Sequence, residues 1–400
     1  MKHFLTTLIC LMLITACGEN KSKKTSFSTN DYLHVIDLNK TGAEIQFSEV
    51  FASITPIILE TTKNSLIGDV DKVFATDEYI IVLDAFIANA LFLFKKDGTF
   101  LHKFGSRGNG PGEYSRIADF CYDNTTGTIY MLDFSTNRIN IYDIHTGSFL
   151  KSLKLQNNNG FSQYICFQSE ELYTNLRNFT NATKQYLLNR RSQTTGNIEE
   201  SWLDLETYSK NIDYTERNPF LFSNGNSFKF NKPFMDGIML VEKGKITPFL
   251  TFTPEYTIDL NDLKGVSKDS EYMEVFSMLR GLNKVFNITP YFEHKDLIYM
   301  NFWLGTAEKA LIYNQKTKDF KYMSTFDDLI YKEKNSHFRQ YPWFIAHYDN
   351  GLFAVQDVQF IKELLEKDLI SENFKSSALD LVNNLEEDAN PFLFYYEFKK

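Results

Sequence analysis

EYIIVLDAFIANALFLFKKDGTFLHKF, residues 78–104, and GTIYMLDFSTNRINIYDIHTGSFLKSL, residues 127–153, align without a gap. Leu83-Asp84 falls on Leu132-Asp133, Gly98 on Gly147, and Phe100-Leu101 on Phe149-Leu150. Upstream, DKVFATD (71–77) mirrors IADFCYD (117–123). Each copy reads as four short strands joined by tight turns, such as Asp97-Gly98 and Thr146-Gly147. A repeat of four strands cannot bury both its faces alone, so it must stack on neighbours around a ring. That is the pattern of a propeller blade. A composition with 16% aromatic residues, 37 Phe and 22 Tyr among them, favours the same β-structure.

Propeller repeats run to about 45 residues, so the folded part of the chain has room for six. They are expected at 66–114, 115–159, 160–210, 218–260, 284–327 and 341–400. The fold class predicted is therefore all-β, a six-bladed β-propeller over residues 50–400, with short helical insertions. One insertion is DSEYMEVFSMLRGLN (269–283). The other spans 359–388, where Ile361, Leu364, Leu365 and Leu369, then Leu381, Val382 and Leu385, recur at helical spacing. Packing against the propeller is the preferred role for both stripes, over a partner-binding helix. SITPIILETT (53–62) is one strand ahead of the first blade. Pairing it into the last blade would close the ring and remove two free edges.

The N-terminus fixes an expected compartment. MKHFLTTLICLMLITAC has a basic start at Lys2, an apolar run from residue 4 to 14, and small residues leading to Cys17. It reads as a signal peptide over residues 1–16, too short to span a membrane permanently. Residues 17–49 follow as a flexible, polar tether and lead-in. The formal charge is −9, or −10 once Lys2 leaves with the signal, and no basic stripe is present. Nucleic acid is not an expected partner. Cys121 and Cys166 lie in apolar strand-like runs and read as buried thiols, with a bridge between neighbouring strands left open.

Two resemblances sit on these residues. YMLDFSTNRINIYD (130–143) is similar to the NHL repeat, and FGSRGNGPGEY (104–114) resembles the inter-blade segment of NHL propellers. The ending Ile14-Thr15-Ala16-Cys17 resembles the bacterial lipobox, which implies lipidation of Cys17. Across its length the chain resembles the six-bladed β-propeller lipoproteins of Bacteroides-type bacteria. This likeness implies a lipid-anchored protein of the cell envelope, placed at the outer membrane, and architecture more than activity.

GSRGNGPGEY (105–114) raises the question of a phosphate loop. A P-loop needs a Lys-Ser or Lys-Thr after its glycines, and a dinucleotide fingerprint needs a helix after them. Neither follows here, and Pro111 removes an amide donor. The stretch reads as a turn between blades. Such turns stand where propellers bind, so Arg107, Glu113, Tyr114 and Arg116 are the candidate binding residues. Arg138 is either a fifth, or knits its own turn with Asp133 and Asn137. Trp303, Tyr341 and Trp343 either stack on a ligand or pack between blades.

Catalytic signals are sparse. The histidines show no HExxH or zinc-spaced pair, and no GxSxG elbow occurs. The acid runs Asp327-Asp328 and Glu386-Glu387-Asp388 are expected to be solvated. The favoured function is a non-catalytic scaffold, without a cofactor or metal, that binds an envelope protein, peptide or glycan while its lipid anchor holds the membrane. The alternative is a Ca²⁺- or Zn²⁺-dependent hydrolase or lyase with its site in the central channel.

Overall fold

The computed structural model describes residues 27–400, apart from residues 41, 157–159, 179–185, 205–217, 223–226, 233–234, 260, 265–271 and 335–339. Six blades, each with four antiparallel strands at its heart, follow one another around a channel, and added strands bring the sheets of blades 4 and 5 to five and six. Blade 1 holds Lys72–Ala75, Tyr79–Asp84, Ala90–Lys95 and Phe100–Lys103. Blade 2 runs from Ile117–Asp123 to Phe149–Lys154, and blade 3 from Ile165–Gln168 to Ile198–Asp204. Blade 4 runs from Phe220–Phe222 to Lys245–Phe252, and blade 5 from Tyr291–His294 to Phe320–Met323. Blade 6 holds Phe344–Tyr348, Gly351–Gln356, Phe392–Phe398 and, as its outermost strand, Phe51–Ile57 from the N-terminal side.

The apolar runs inside the blades explain why a ring forms. Successive side chains of a strand point to opposite faces. In Tyr79–Asp84, Ile80 and Val82 pack with Ala346, Phe353 and Leu393 of blade 6. Ile81 and Leu83 pack with Phe120, Ile129 and Met131 of blade 2. A strand apolar on both faces needs a neighbour on each side, and only a closed ring supplies one to every blade.

The ungapped alignment of blades 1 and 2 conceals two differences that cancel. Asp84 pairs with Ala90 across a turn of five residues (85–89), but Asp133 pairs with Arg138 across four (134–137). The next turn reverses this: Lys95 bonds to Thr99, but Asp143 bonds to Ser148, one residue further on.

Asp84 and Asp133 are buried, and each ties its turn to the incoming chain. Asp84 accepts amides from Gly68 (2.7 Å), Asp69 (3.1 Å), Ile87 and Ala88 (both 2.9 Å). Asp133 accepts those of Ser115 (2.9 Å), Arg116 (3.2 Å) and Ser135 (3.1 Å). In blade 3 Asn175 takes the same place, accepting Gln163 (3.1 Å) and Tyr164 (2.7 Å). Blade 5 has Asn301 there, but the residue it would face is Pro290, which has no N–H. Backbone bonds Asn301 N to Pro290 O (2.9 Å) and Thr289 N to Asn301 O (2.8 Å) stand in.

The lead-in is more structured than its polar sequence suggests. His34–Ile36 adds in parallel to the edge of blade 4, and Ala43–Ile45 to the edge of blade 5. Three-residue strands carry no readable period, which is why the sequence hides them. His34 is buried with its Nδ1 3.1 Å from the Tyr313 hydroxyl. Helices Val358–Glu366 and Glu372–Asn384 are capped by Asp357 and Ser371, and bury Ile361, Leu364, Phe374, Ala378 and Leu381 against blade 6. Tyr272–Gly281 is the other helical insertion. Cys121 and Cys166 are buried free thiols on adjacent inner strands.

Asp327 corrects the sequence expectation of a solvated acid pair. It is fully buried, accepts the Tyr396 hydroxyl at 2.7 Å and the Leu329 amide at 3.0 Å, and burial pushes its carboxyl up to about 7. Asp328 accepts the Ser48 amide at 2.9 Å. A loop position does not imply exposure when the loop is covered by an inserted helix pair. Glu386, Glu387 and Asp388 are exposed.

Candidate functional site

The innermost strands of all six blades enclose a channel of about 1480 Å³. Its wall is rich in rings: Phe74 from blade 1, Tyr122 from blade 2, Phe167 from blade 3, Phe220 from blade 4, Phe292 from blade 5 and Trp343 from blade 6. Among its ionisable groups, Lys72 donates to Asp119 at 2.6 Å and lies over the Phe120 ring at 4.9 Å. The remaining carboxylates stand mostly toward the two ends. We call the end where the inner strands begin the front mouth, and the other the rear mouth.

The rear mouth carries Asp77, Glu78, Glu170 and Asp349, with Lys243, His145 and His347. His145 Nδ1 is 3.0 Å from the Tyr79 hydroxyl, and the Tyr348 hydroxyl donates to Asp77. The Lys96 ammonium lies 3.2 Å from the centre of the Tyr348 ring; burial lowers its pKa, opposed by Asp77 and Asp349. Burial also pushes the His347 imidazole down to about 4, with His294 adding to the effect. Among the described residues, no group of three or more His, Cys, Asp or Glu side chains is placed to hold a metal ion.

The structure separates the residues proposed from sequence. Tyr114 is buried in the seam between blades 1 and 2, where burial pushes its phenol up to about 12. Glu113 turns inward, its carboxylate accepting the Gly110 amide at 2.7 Å. That carboxylate fills the concavity of the glycine turn, and a Cβ on Gly108 would come within 2.0 Å of it. An anion already occupies the place a phosphate would need, so the turn reading fits. Arg107 is exposed on a two-residue strand beside Tyr114. Arg138 is half-buried, and no bond from its guanidinium to Asp133 occurs among the described residues. The turn is knit by Asp133 and by the Asn137 side-chain amide, which donates to Leu155 O at 3.0 Å. Cys17 lies outside the described residues.

None of the five lines the channel itself, and Arg116 lies beside a ring that does. Its guanidinium lies 5.7 Å from the Phe86 ring and 5.9 Å from that of Phe134, and Phe86 lines the channel. Trp303 packs with Phe276 (5.3 Å) and Phe286 (6.3 Å), whereas Trp343 faces the channel. Tyr341 is half-buried and donates to Glu308 at 3.2 Å. Sequence reasoning missed Phe86 and Ile87. The signal was present, since apolar residues at a turn between two strands break the expected pattern.

Six blades of four strands, closed around an open channel by a strand from the other end of the chain, define a six-bladed β-propeller. The chain belongs to the family described as "Domain of unknown function (DUF4934)", whose model matches residues 33–397. No curated protein sequence matches it. Among solved structures it is similar to a "Putative exported protein" from Bacteroides fragilis NCTC 9343, with 20% identity and a TM-score of 0.73 over 92% of this chain and 100% of the other. It is also similar to a member of the DUF4221 family from Bacteroides vulgatus ATCC 8482, with 10% identity and a TM-score of 0.50 over 88% and 97% of the two chains. At these identities the likeness establishes the fold.

Proposed function

We propose that this protein is a membrane-anchored envelope lipoprotein whose propeller, built from NHL-like repeats, is a non-catalytic scaffold for a protein, peptide or glycan partner. The observation that carries this reading is the channel, about 1480 Å³ of space walled by rings from every blade. Small-molecule pockets usually measure about 300–1,000 Å³, so the channel suits an extended ligand. Aromatic walls offer faces on which sugars and side chains stack. The anchor rests on the signal-like run that ends at Cys17, and the fold shared with the "Putative exported protein" is consistent with passage out of the cytoplasm. The envelope site is the outer membrane, with the lipid on Cys17.

Peptide and glycan arrays probed with the full chain, alongside chromogenic ester and glycoside panels, test the scaffold. Saturable binding without turnover is expected, weakened by Phe74→Ala and Tyr122→Ala. Turnover that EDTA abolishes would instead establish the metal-dependent hydrolase. Mass spectrometry of the native N-terminus tests the anchor, and an unlipidated chain beginning elsewhere would remove it.

A further inference from the structure

An apolar arc crosses the front face from blade 1 to the start of blade 3. Phe86 and Ile87 are each 67% exposed, Leu66 55% and Phe161 41%. From Phe86 to Phe161 the side chains are linked through Arg116 and Phe134. Ile87 lies over Gly68, where a Cβ would come within 2.2 Å of its Cγ2. Phe86 and Phe134 flank Arg116 at 5.7 and 5.9 Å, and the rings of Phe134 and Phe161 are 5.5 Å apart. Large side chains exposed in a row, rather than singly, mark an interaction surface.

The charge within the arc says what it takes. The Arg116 guanidinium has no ion pair among the described residues, and its contacts are two ring faces. The nearby carboxylates of Asp84 and Asp133 are buried and turned onto backbone amides. A guanidinium held between rings presents a planar fork suited to a carboxylate, and the partly apolar setting strengthens that bond. We propose that this arc binds a peptide segment in which a carboxylate is flanked by aromatic or aliphatic side chains. The proposal rests on the scaffold reading and names its partner class. A membrane surface fits less well: the chain carries a net charge of −9, and Phe86 lines the channel mouth instead of standing clear of the body.

Panning a random linear peptide library on the immobilised full chain tests this. The enriched peptides are expected to place Asp or Glu within two positions of Phe, Tyr, Trp or Leu. Their affinity should fall about tenfold or more with Arg116→Ala, as for loss of a charge-assisted hydrogen bond. Arg116→Lys should lose less, and Phe86→Ser should weaken binding as well. Enriched peptides without an acid, or equal binding by Arg116→Glu, would overturn the arc as the site. If that equal binding is instead lost in Phe74→Ala, the scaffold reading survives and only the arc fails. If neither peptides nor glycans bind the wild type, both readings fail. Vesicles of equal parts phosphatidylglycerol and phosphatidylcholine form a separate arm, and Phe86-dependent vesicle binding without peptide enrichment would overturn the proposal in favour of a membrane surface.

Discussion

Lys72 of blade 1 and Asp119 of blade 2 meet at 2.6 Å in the channel wall, and the other oxygen of Asp119 accepts the Ile165 amide of blade 3 at 2.9 Å. One carboxylate therefore joins three blades. Lys72 also donates to Phe120 O at 2.7 Å, and the side chain of Asp119 is only 2% exposed. Removing one partner of a buried ion pair leaves the other charge without compensation, at a cost of about 3–5 kcal/mol. Lys72→Met should lower the unfolding midpoint by several degrees, and adding Asp119→Asn should recover most of the loss. An unchanged midpoint in Lys72→Met would show that the pair does not hold the seam.

Phe51 tests the closure of the ring. It is fully buried, stands opposite Phe398 in the ladder, and has its ring 4.9 Å from that of Phe398, 5.4 Å from Tyr396 and 5.6 Å from Phe344. Phe51→Ala should cost about 3–5 kcal/mol, the usual range for emptying a packed phenylalanine site. Deleting residues 27–57 should go further, since it bares the edge of Phe392–Phe398 and invites pairing with another chain. Light scattering should then report larger species. A truncated chain that stays monomeric with its melting temperature intact would mean the ring closes without this strand.

Blade 6 and its seam with blade 5 contain two groups with opposite pH responses. Asp327 is raised by burial to about 7 from an ordinary 3.8. Its contribution is complete below about 3.8 and is lost as the pH rises through 7. His347 is lowered by burial to about 4 from 6.5, with its ring centre 6.0 Å from that of His294. Its contribution is complete above 6.5 and is lost as the pH falls through 4. Between pH 4 and 6.5 the two oppose each other. Relative to wild type, Asp327→Asn should make stability rise more steeply with pH in this window, by up to about 1.4 kcal/mol per pH unit. His347→Gln should change the slope in the opposite sense. Denaturant midpoints measured from pH 4 to 8 would show it, and parallel curves for all three proteins would refute both assignments.

The sequence reveals the ring through strands whose apolar residues continue without a break, as in YIIVLD and TIYMLD. The same residues do not reveal the site. Glu113 and Tyr114 are candidates in the sequence because inter-blade turns stand where propellers bind, yet Tyr114 enters the seam and Glu113 bonds within the turn. Phe86 and Ile87 looked like part of a strand-to-strand alignment, and only the five-residue turn that carries them puts them outside. His34–Ile36 and Ala43–Ile45 borrow their order from the blade edges they join, so nothing local in their sequence announces them.

The contrast between Asp133 and Arg138 separates two accounts of the turn they share. Asp133 is buried and accepts the amides of Ser115, Arg116 and Ser135, together with the Thr136 hydroxyl at 2.8 Å. Removing it strands several donors, each costing about 1–3 kcal/mol if left unpaired. Asp133→Ala should therefore destabilise strongly, by about 3 kcal/mol or more. Arg138→Ala should stay within about 0.5 kcal/mol, as for a side chain outside any such network. Asp133→Asn should fall between them, because Asn175 already holds two amides on a single oxygen in blade 3. The Arg116 amide hangs on Asp133, so Asp133→Ala should also loosen Arg116 between its two rings. Peptide binding at the arc would then weaken even at temperatures where the variant remains folded. If Arg138→Ala proves the more damaging change, the turn is held by charge on the guanidinium and the role given to Asp133 is wrong.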